Sequence, residues 1–154
     1  MDLHPDLAPI SWLVGRWAGQ GSGQYPTTAD FEYREESTWT HVGKPFLAYT
    51  QATWATDDGR PLHGERGFLR VAGGALELVL AHSNGIGEVA VAELSSSPHF
   101  RSVSVNGAPS AKEVSSLERR LWLEAGVLHY ELGMGAVGVT HQIHLRAALT
   151  GIPS

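Results

Sequence analysis

The segment Gly15-Arg16-Trp17-Ala18-Gly19-Gln20-Gly21, near the start of the chain, decides the fold. It reads Gly-x-Trp-x-Gly-x-Gly, and strand-like segments follow it along nearly the whole sequence. In small antiparallel barrels an early Gly-x-Trp opens the first strand, because the indole fills one end and the glycines let strands bend and approach closely. Gly15, Trp17, Gly19 and Gly21 therefore predict a barrel that can hold a ligand.

Beyond this segment, short runs of alternating apolar and polar residues recur between turn signals such as Asp57-Asp58-Gly59 and Asn106-Gly107. A turn or two of helix is expected over residues 5–14. The first strand begins at Gly15, and the others are predicted at 31–39, 46–54, 63–71, 76–81, 86–94, 100–105, 113–123, 127–134 and 139–149. We predict one all-β domain over residues 1–154, a ten-stranded antiparallel up-and-down β-barrel of the lipocalin or fatty-acid-binding-protein kind.

The composition of the 154 residues excludes several classes of function. There is no cysteine, which rules out disulfides, thiolate metal sites and cysteine nucleophiles. The 11 basic residues are scattered among 16 acidic ones, and the net charge of −5 argues against binding to nucleic acid. No apolar run approaches the about 18 residues that span a bilayer, and no signal-peptide pattern opens the chain. We expect a cytoplasmic protein without membrane contact.

Familiar catalytic motifs are missing from the sequence. The glycine cluster at 19–23 lacks the third glycine of a dinucleotide-binding turn and the Gly-Lys pair of a P-loop. No Gly-x-Ser-x-Gly nucleophile motif occurs. Acidic residues such as Glu32, Glu35 and Glu36 are expected on exposed strand faces rather than in a catalytic pair.

The eight histidines are the remaining candidates for chemistry. Four of them are expected at the surface: His4, His41, His99 and His129. His63 begins a predicted strand, and His82 ends one. His141 and His144 share the last strand, where a separation of three places them on opposite faces unless a bulge intervenes. An isolated imidazole suits a ligand that carries its own metal, such as haem.

Periodicity does not choose between the two histidines of the last strand. His144 alternates with Gln142 and Arg146, which predicts that it points outward or into a polar cavity. His141 falls on the side of the apolar set, which consists of Ile143, Leu145, Ala147 and Leu149.

The chain resembles the nitrobindin family of small haem-binding β-barrels, in particular its actinobacterial members. The matching segments are Gly15-x-Trp17-x-Gly19-x-Gly21, Gly23-Gln24-Tyr25-Pro26-Thr27, Phe31-Glu32-Tyr33-Arg34-Glu35-Glu36, His41-Val42-Gly43-Lys44-Pro45-Phe46-Leu47, Pro61-Leu62-His63-Gly64-Glu65, Glu77-Leu78-Val79-Leu80-Ala81-His82, Ala111-Lys112-Glu113-Val114 and His144-Leu145-x-Ala147-x-Leu149. The resemblance implies a ten-stranded antiparallel barrel that holds one haem b per chain in a shallow pocket.

The resemblance also implies roles for individual residues. His144 matches the axial ligand of the haem iron, with His141 as a rival. The remaining implied residues surround the haem: Leu62, His63, His82 and Met134 line the pocket, while Thr27 and Lys112 lie near the haem edge. A lysine at that edge could pair with a propionate carboxylate.

By resemblance, the ferric form isomerises peroxynitrite to nitrate and the haem binds nitric oxide reversibly, with no catalytic residue beyond the haem iron. Two other hypotheses stay open. One is a non-enzymatic carrier of a fatty acid or another apolar ligand, and the other is a sensor or store of nitric oxide. The sequence does not fix the oligomeric state, and a homodimer stays open.

Overall fold

The structure, a computed structural model, describes residues 1–25, 28–136 and 139–153, without the side chains of 136 and 139–142. Within these ranges ten antiparallel strands close into a barrel in the order β1-β10-β9-β8-β7-β6-β5-β4-β3-β2. The strands are β1 (Gly15–Gly23), β2 (Phe31–Thr40), β3 (Phe46–Ala55), β4 (Pro61–Ala72), β5 (Ala75–His82), β6 (Ile86–Glu93), β7 (His99–Gly107), β8 (Ser116–Glu124), β9 (Val127–Ala136) and β10 (Val139–Ile152). The predicted fold class is confirmed.

One end of the barrel is closed by the N-terminal segment. Pro5–Leu13 forms a 3₁₀ helix, at the place where a short helical segment was predicted. Its residues Leu7, Ile10 and Leu13 are fully buried. The Trp17 indole N–H donates to the Leu13 carbonyl at 2.8 Å, which joins the helix to the first strand beneath the core. No helix in the described ranges is long and apolar enough to cross a membrane.

The glycines of β1 allow the close approach that the sequence predicted. A Cβ atom on Gly19 would lie 2.2 Å from the Ala148 carbonyl oxygen of β10. A Cβ atom on Gly21 would lie 2.3 Å from the Tyr33 ring on β2. Both distances are far below van der Waals contact, so a side chain at either position would displace a neighbouring strand or ring.

The seam between β7 and β8 is short. These strands pair only from His99 opposite Arg120 to Arg101 opposite Glu118, as far as the described residues go. β8 begins at Ser116 instead of the predicted 113, because the chain before it turns, with the Ala111 N–H donating to the Ala108 carbonyl at 2.9 Å. The barrel wall therefore opens between the end of β7 and the start of β8.

We use the term far end for the end of the barrel opposite the helix. It is formed by the last residues of the odd-numbered strands and the first residues of the even-numbered ones, as the antiparallel order requires. The candidate residues His63, His82, Met134 and His144 all belong to strand segments at this end.

Candidate functional site

A β-bulge positions His144. On β10, Ile143 pairs with Gly133 and Leu145 pairs with Leu132, so His144 is an extra residue between two adjacent partners on β9. His144 is 6% exposed, whereas Ile143 is 45% exposed. The prediction that Ile143 lies on the same face as Leu145, with His144 opposite, is wrong because the inserted residue changes the alternation.

The main chain on both sides of His144 contacts its ring. Nδ1 lies 2.9 Å from the Gln24 carbonyl oxygen, and Nε2 lies 3.2 Å from the Met134 carbonyl oxygen. Both neighbours are hydrogen-bond acceptors, and a neutral imidazole carries one N–H. One ring nitrogen therefore presents a lone pair to an oxygen, and a bound metal ion would remove this conflict.

Tyr25 covers the face of this imidazole. The two rings stack at 4.9 Å between centroids, with 8° between their planes. Phe31 continues the stack, 5.9 Å from Tyr25. Neither Gln24 nor Tyr25 was predicted as a site residue from the sequence. Their position directly before Pro26-Thr27, within a matching segment, was the available signal.

These residues fit a haem ligand. Histidines that bind metals commonly donate the second ring N–H to a backbone carbonyl, which fixes the tautomer and the ring orientation. Donation from Nδ1 to Gln24 does this for His144, and it leaves Nε2 as the nitrogen for iron. The side chain of the rival ligand, His141, lies outside the described residues, as does Thr27.

Lys112 lines an open groove of about 410 Å³ at the gap between β7 and β8. The groove is bordered by Ser115, whose N–H donates to the Gly135 carbonyl, one residue beyond Met134. Lys112 is exposed. Leu62 is 38% exposed at the start of β4, and Met134 is half-buried on β9.

The barrel interior carries charge, which the sequence analysis missed. Within the described residues, the buried ionisable side chains include Glu35, Glu65, Glu88 and Arg119. Glu35 was expected on an exposed face, and this prediction is wrong. Glu35 lies on the same inward face of β2 as Tyr33 and Trp39. The same alternation was available for Glu88 and Arg119, since each lies between buried apolar residues two positions away on its strand. Glu65 has only Leu69, four positions away, as a buried apolar residue in step with it.

Arg119 holds two of the buried carboxylates. Its guanidinium is paired with Glu65 through Nη1 and lies 3.3 Å from Glu88 Oε1 through Nη2. Burial opposes ionisation of Glu65, yet Arg119 and hydrogen bonds from His63 and His82 hold the pKa of this carboxyl well below its usual range. The pair is therefore charged inside the barrel, where a missing partner would be costly.

Glu35 is the buried carboxyl that resists ionisation. Burial raises its pKa to about 7, although hydrogen bonds from Tyr130 and Gln51 act in the opposite direction. The Tyr130 hydroxyl donates to Glu35 at 2.5 Å and also contacts the Tyr33 hydroxyl at 2.6 Å. These groups form a hydrogen-bonded chain from the barrel interior toward β10, since Tyr33 also reaches the Arg146 carbonyl at 3.5 Å.

His63 and His82 come together at the far end. The His63 Nε2 and His82 Nδ1 atoms are 3.1 Å apart, and both lie close to the carboxylate of Glu65. An internal cavity of about 30 Å³ lies beside them, with Trp39, Gln51 and Arg119 among its walls. This volume holds a water molecule or two and no larger ligand.

Comparison with known proteins gives a consistent result. The family model of the THAP4-like, heme-binding beta-barrel domain matches residues 6–150. A Mycolicibacterium paratuberculosis protein named peroxynitrite isomerase 1 is 50% identical over 96% of both chains. Peroxynitrite isomerase 1 of Mycobacterium tuberculosis strain H37Rv is 48% identical over 96% of both chains. The crystal structure of Rv2717c from M. tuberculosis superposes with a TM-score of 0.90 at 46% identity, covering 99% of this chain and all of the other.

Proposed function

This chain belongs to the family of THAP4-like, haem-binding β-barrel domains, and we propose that it binds haem through His144 and isomerises peroxynitrite to nitrate. The names of its relatives supply the reaction. The arrangement around His144 carries the proposal for this chain, because a buried imidazole is oriented by one carbonyl and keeps a nitrogen for iron.

The residues of the chain have a limited task in this reaction. Gln24 fixes the tautomer of His144, and Tyr25 holds the plane of the ring by stacking. A ferric haem held there would supply a Lewis acid for the peroxynitrite anion, whose isomerisation to nitrate needs no gain or loss of atoms. No protein side chain needs to exchange a proton in the net reaction.

The position of the site favours a shallow ligand over a long one. An alkyl chain that entered the far end along the barrel axis would meet the charged pair of Glu65 and Arg119. Burying these charges against methylene groups without their hydrogen bonds would be strongly unfavourable. The cavity beside them is also far smaller than the several hundred Å³ of ordinary ligand pockets. The fatty-acid carrier is therefore the weaker hypothesis.

Several finer properties are part of the same proposal. The haem is of type b, with one per chain, since haem b needs no thioether bond and the sequence has no cysteine. Lys112, at the mouth of the groove, pairs with a propionate. The bound haem would also bind nitric oxide reversibly, and the protein would act in the cytoplasm.

The test is a haemin titration followed by absorption spectroscopy on three chains. These are the wild type, His144→Ala, and His129→Ala as a matched control whose ring stacks on Trp122 at 5.3 Å. We expect a saturable Soret band at one haem per chain in the wild type and in the control. His144→Ala should lose this band. Imidazole added to the His144→Ala chain should restore it if the lost ligand is the only defect.

Activity is measured separately, as peroxynitrite decay in stopped flow with ferric protein and with His144→Ala. We expect nitrate as the product and a decay rate that rises in proportion to the haem-loaded protein. A normal Soret band in His144→Ala would move the ligand to another histidine. A bound haem without faster decay would leave the protein as a nitric oxide sensor or store.

A further inference from the structure

We infer that His63, His82 and Glu65 form a binding site for a divalent first-row transition ion such as zinc. The site is separate from His144, because its strands β4 and β5 lie across the barrel from β10 in the closed strand order. The three residues bring together one ligand atom each, and these atoms lie within 4.8 Å of one another.

The three ligand atoms form a nearly equilateral triangle. His63 Nε2 is 3.1 Å from His82 Nδ1, His82 Nδ1 is 3.1 Å from Glu65 Oε2, and His63 Nε2 is 3.4 Å from Glu65 Oε2. Nitrogen and oxygen ligands lie about 2.0–2.1 Å from a tetrahedral zinc ion, which places them about 3.3 Å from each other. The triangle thus has nearly the size of one face of a zinc coordination tetrahedron.

Hydrogen bonds alone cannot satisfy all three contacts among the ligand atoms of His63, His82 and Glu65. The three edges of the triangle need three hydrogens, and the two imidazole nitrogens supply at most two, since the Glu65 carboxylate is ionised. If both nitrogens donate to Glu65, the edge between His63 and His82 joins two donors. If His82 donates to His63, the edge between His63 and Glu65 joins two acceptors. One cation near the centre removes this conflict, because all three atoms then offer it a lone pair.

The surroundings hold these ligands as metal sites commonly do. The second nitrogen of His82, Nε2, lies 2.9 Å from Glu88 Oε1, which is the carboxylate–histidine arrangement that orients a metal-bound imidazole. Arg119 bonds mainly to Glu65 Oε1 and so leaves Oε2 directed toward the histidines. The main chain of His63 is anchored by its N–H, which donates to Thr53 Oγ1 at 3.1 Å.

Charge and access also favour a cation. Glu65 and Glu88 carry two negative charges against the one positive charge of Arg119, so the charged groups that face the two imidazoles have a net negative charge. The side chains of His82 and Glu65 are nearly inaccessible, at 5% and 3% exposure, whereas that of His63 is 28% exposed. The ion would therefore reach the site from the side of His63, where a fourth position remains for water or a small ligand.

Cobalt(II) is the probe for the test, because tetrahedral nitrogen and oxygen coordination gives it visible absorption bands. Metal-free full-length chain is titrated with Co²⁺, and zinc is then added to displace it. The chains are the wild type, His63→Ala, His144→Ala and His99→Ala. His99 is a matched control, since its Nε2 also faces a carboxylate, Glu118, at 3.3 Å, but on the barrel surface.

We expect one Co²⁺ per chain in the wild type, His99→Ala and His144→Ala, with release of Co²⁺ by zinc. His63→Ala should bind at least tenfold more weakly, and its partial exposure makes the substitution compatible with folding, which circular dichroism checks. Loss of Co²⁺ binding in His144→Ala would overturn the inference, since the ion would then bind at His144, the proposed ligand of the haem iron. Equal binding by His63→Ala, or no saturable binding by the wild type, would overturn it as well.

Discussion

Gln24 and His144 are joined by two hydrogen bonds that run in opposite directions. The Gln24 N–H donates to the His144 carbonyl at 2.8 Å, and the His144 ring meets the Gln24 carbonyl through Nδ1 at 2.9 Å. The segment after β1 is thereby fixed to the bulge of β10, and the orientation of the imidazole depends on both. The Gln24 carbonyl belongs to the backbone and cannot be removed by substitution. The orientation of the His144 ring is therefore tested through the side chain of Tyr25, which stacks on it.

We expect Tyr25→Leu to weaken haem binding about fivefold without loss of the Soret band. The substitution removes a ring stack worth about 1 kcal/mol but keeps His144 and its carbonyl partner. Tyr25→Phe is the control, because it keeps the ring and removes only the hydroxyl. Haem affinity measured by transfer to apomyoglobin gives the comparison. Equal affinities for the leucine and phenylalanine variants would show that stacking does not hold the site.

Glu35 gives a prediction about stability and pH. Its pKa is raised by burial from an ordinary value of 4.5 to about 7, so the folded state prefers the neutral acid. The stability that this preference contributes is complete below pH 4.5 and is lost as the pH rises through 7. The loss amounts to at most about 3 kcal/mol in the free energy of unfolding. Glu35→Gln keeps the shape and should remove this loss.

Urea unfolding at pH 5 and pH 8 measures the effect. Glu36→Gln is the control, since Glu36 is the exposed neighbour on the same strand. Burial lowers the pKa of His82, but Glu65 and Glu88 together raise it to about 9. His82 therefore also loses its stabilising charge as the pH rises above 6.5. The contribution of Glu35 is therefore the difference between the wild type and Glu35→Gln in how much the free energy of unfolding changes from pH 5 to pH 8. If the free energy of unfolding changed equally with pH in the wild type and in Glu35→Gln, the raised pKa of Glu35 would be contradicted.

Gly19→Ala should destabilise the barrel by about 2 kcal/mol or more. The new methyl group would lie 2.2 Å from the Ala148 carbonyl oxygen, which is part of the backbone and cannot move without separating β1 from β10. Gly74→Ala is the matched control, because nothing lies within 4 Å of its Cβ position. Thermal unfolding followed by circular dichroism compares them. Equal midpoints for both variants would mean that the strands adjust freely.

Arg119→Met should lower the free energy of unfolding by about 3–5 kcal/mol. It leaves Glu65 and Glu88 buried with no guanidinium between them. Arg120→Met removes the same type of side chain from the exposed face of the same strand and should cost less than about 0.5 kcal/mol. The Arg119→Met chain should also regain stability when Glu65→Gln is added. An Arg119→Met chain as stable as the Arg120→Met chain would show that the buried carboxylates are protonated instead.

The bounds of most strands followed from the sequence because alternation and turn residues are local properties. The stretch Phe31–Thr40 shows this well, since its alternation and the turn after it place the strand within one residue. The start of β8 was predicted three residues too early, because the chain turns at Ala108–Ala111 and pairing begins only with Ser116 opposite Gly135 on β9. Such pairing between strands leaves no local pattern.

The candidate site also combines features that follow from local sequence with features that depend on contacts between strands. The sequence by itself determined the barrel, through Gly15, Trp17 and the strand alternation, because these act on neighbouring residues within a strand or turn. Only the tertiary structure decided that His144 points inward, since the bulge is defined by pairing with β9. The grouping of His63, Glu65 and His82 likewise needed strands β4 and β5 in register, with Glu65 opposite His82. Distances between side chains on different strands depend on that register, which alternation within one strand cannot specify.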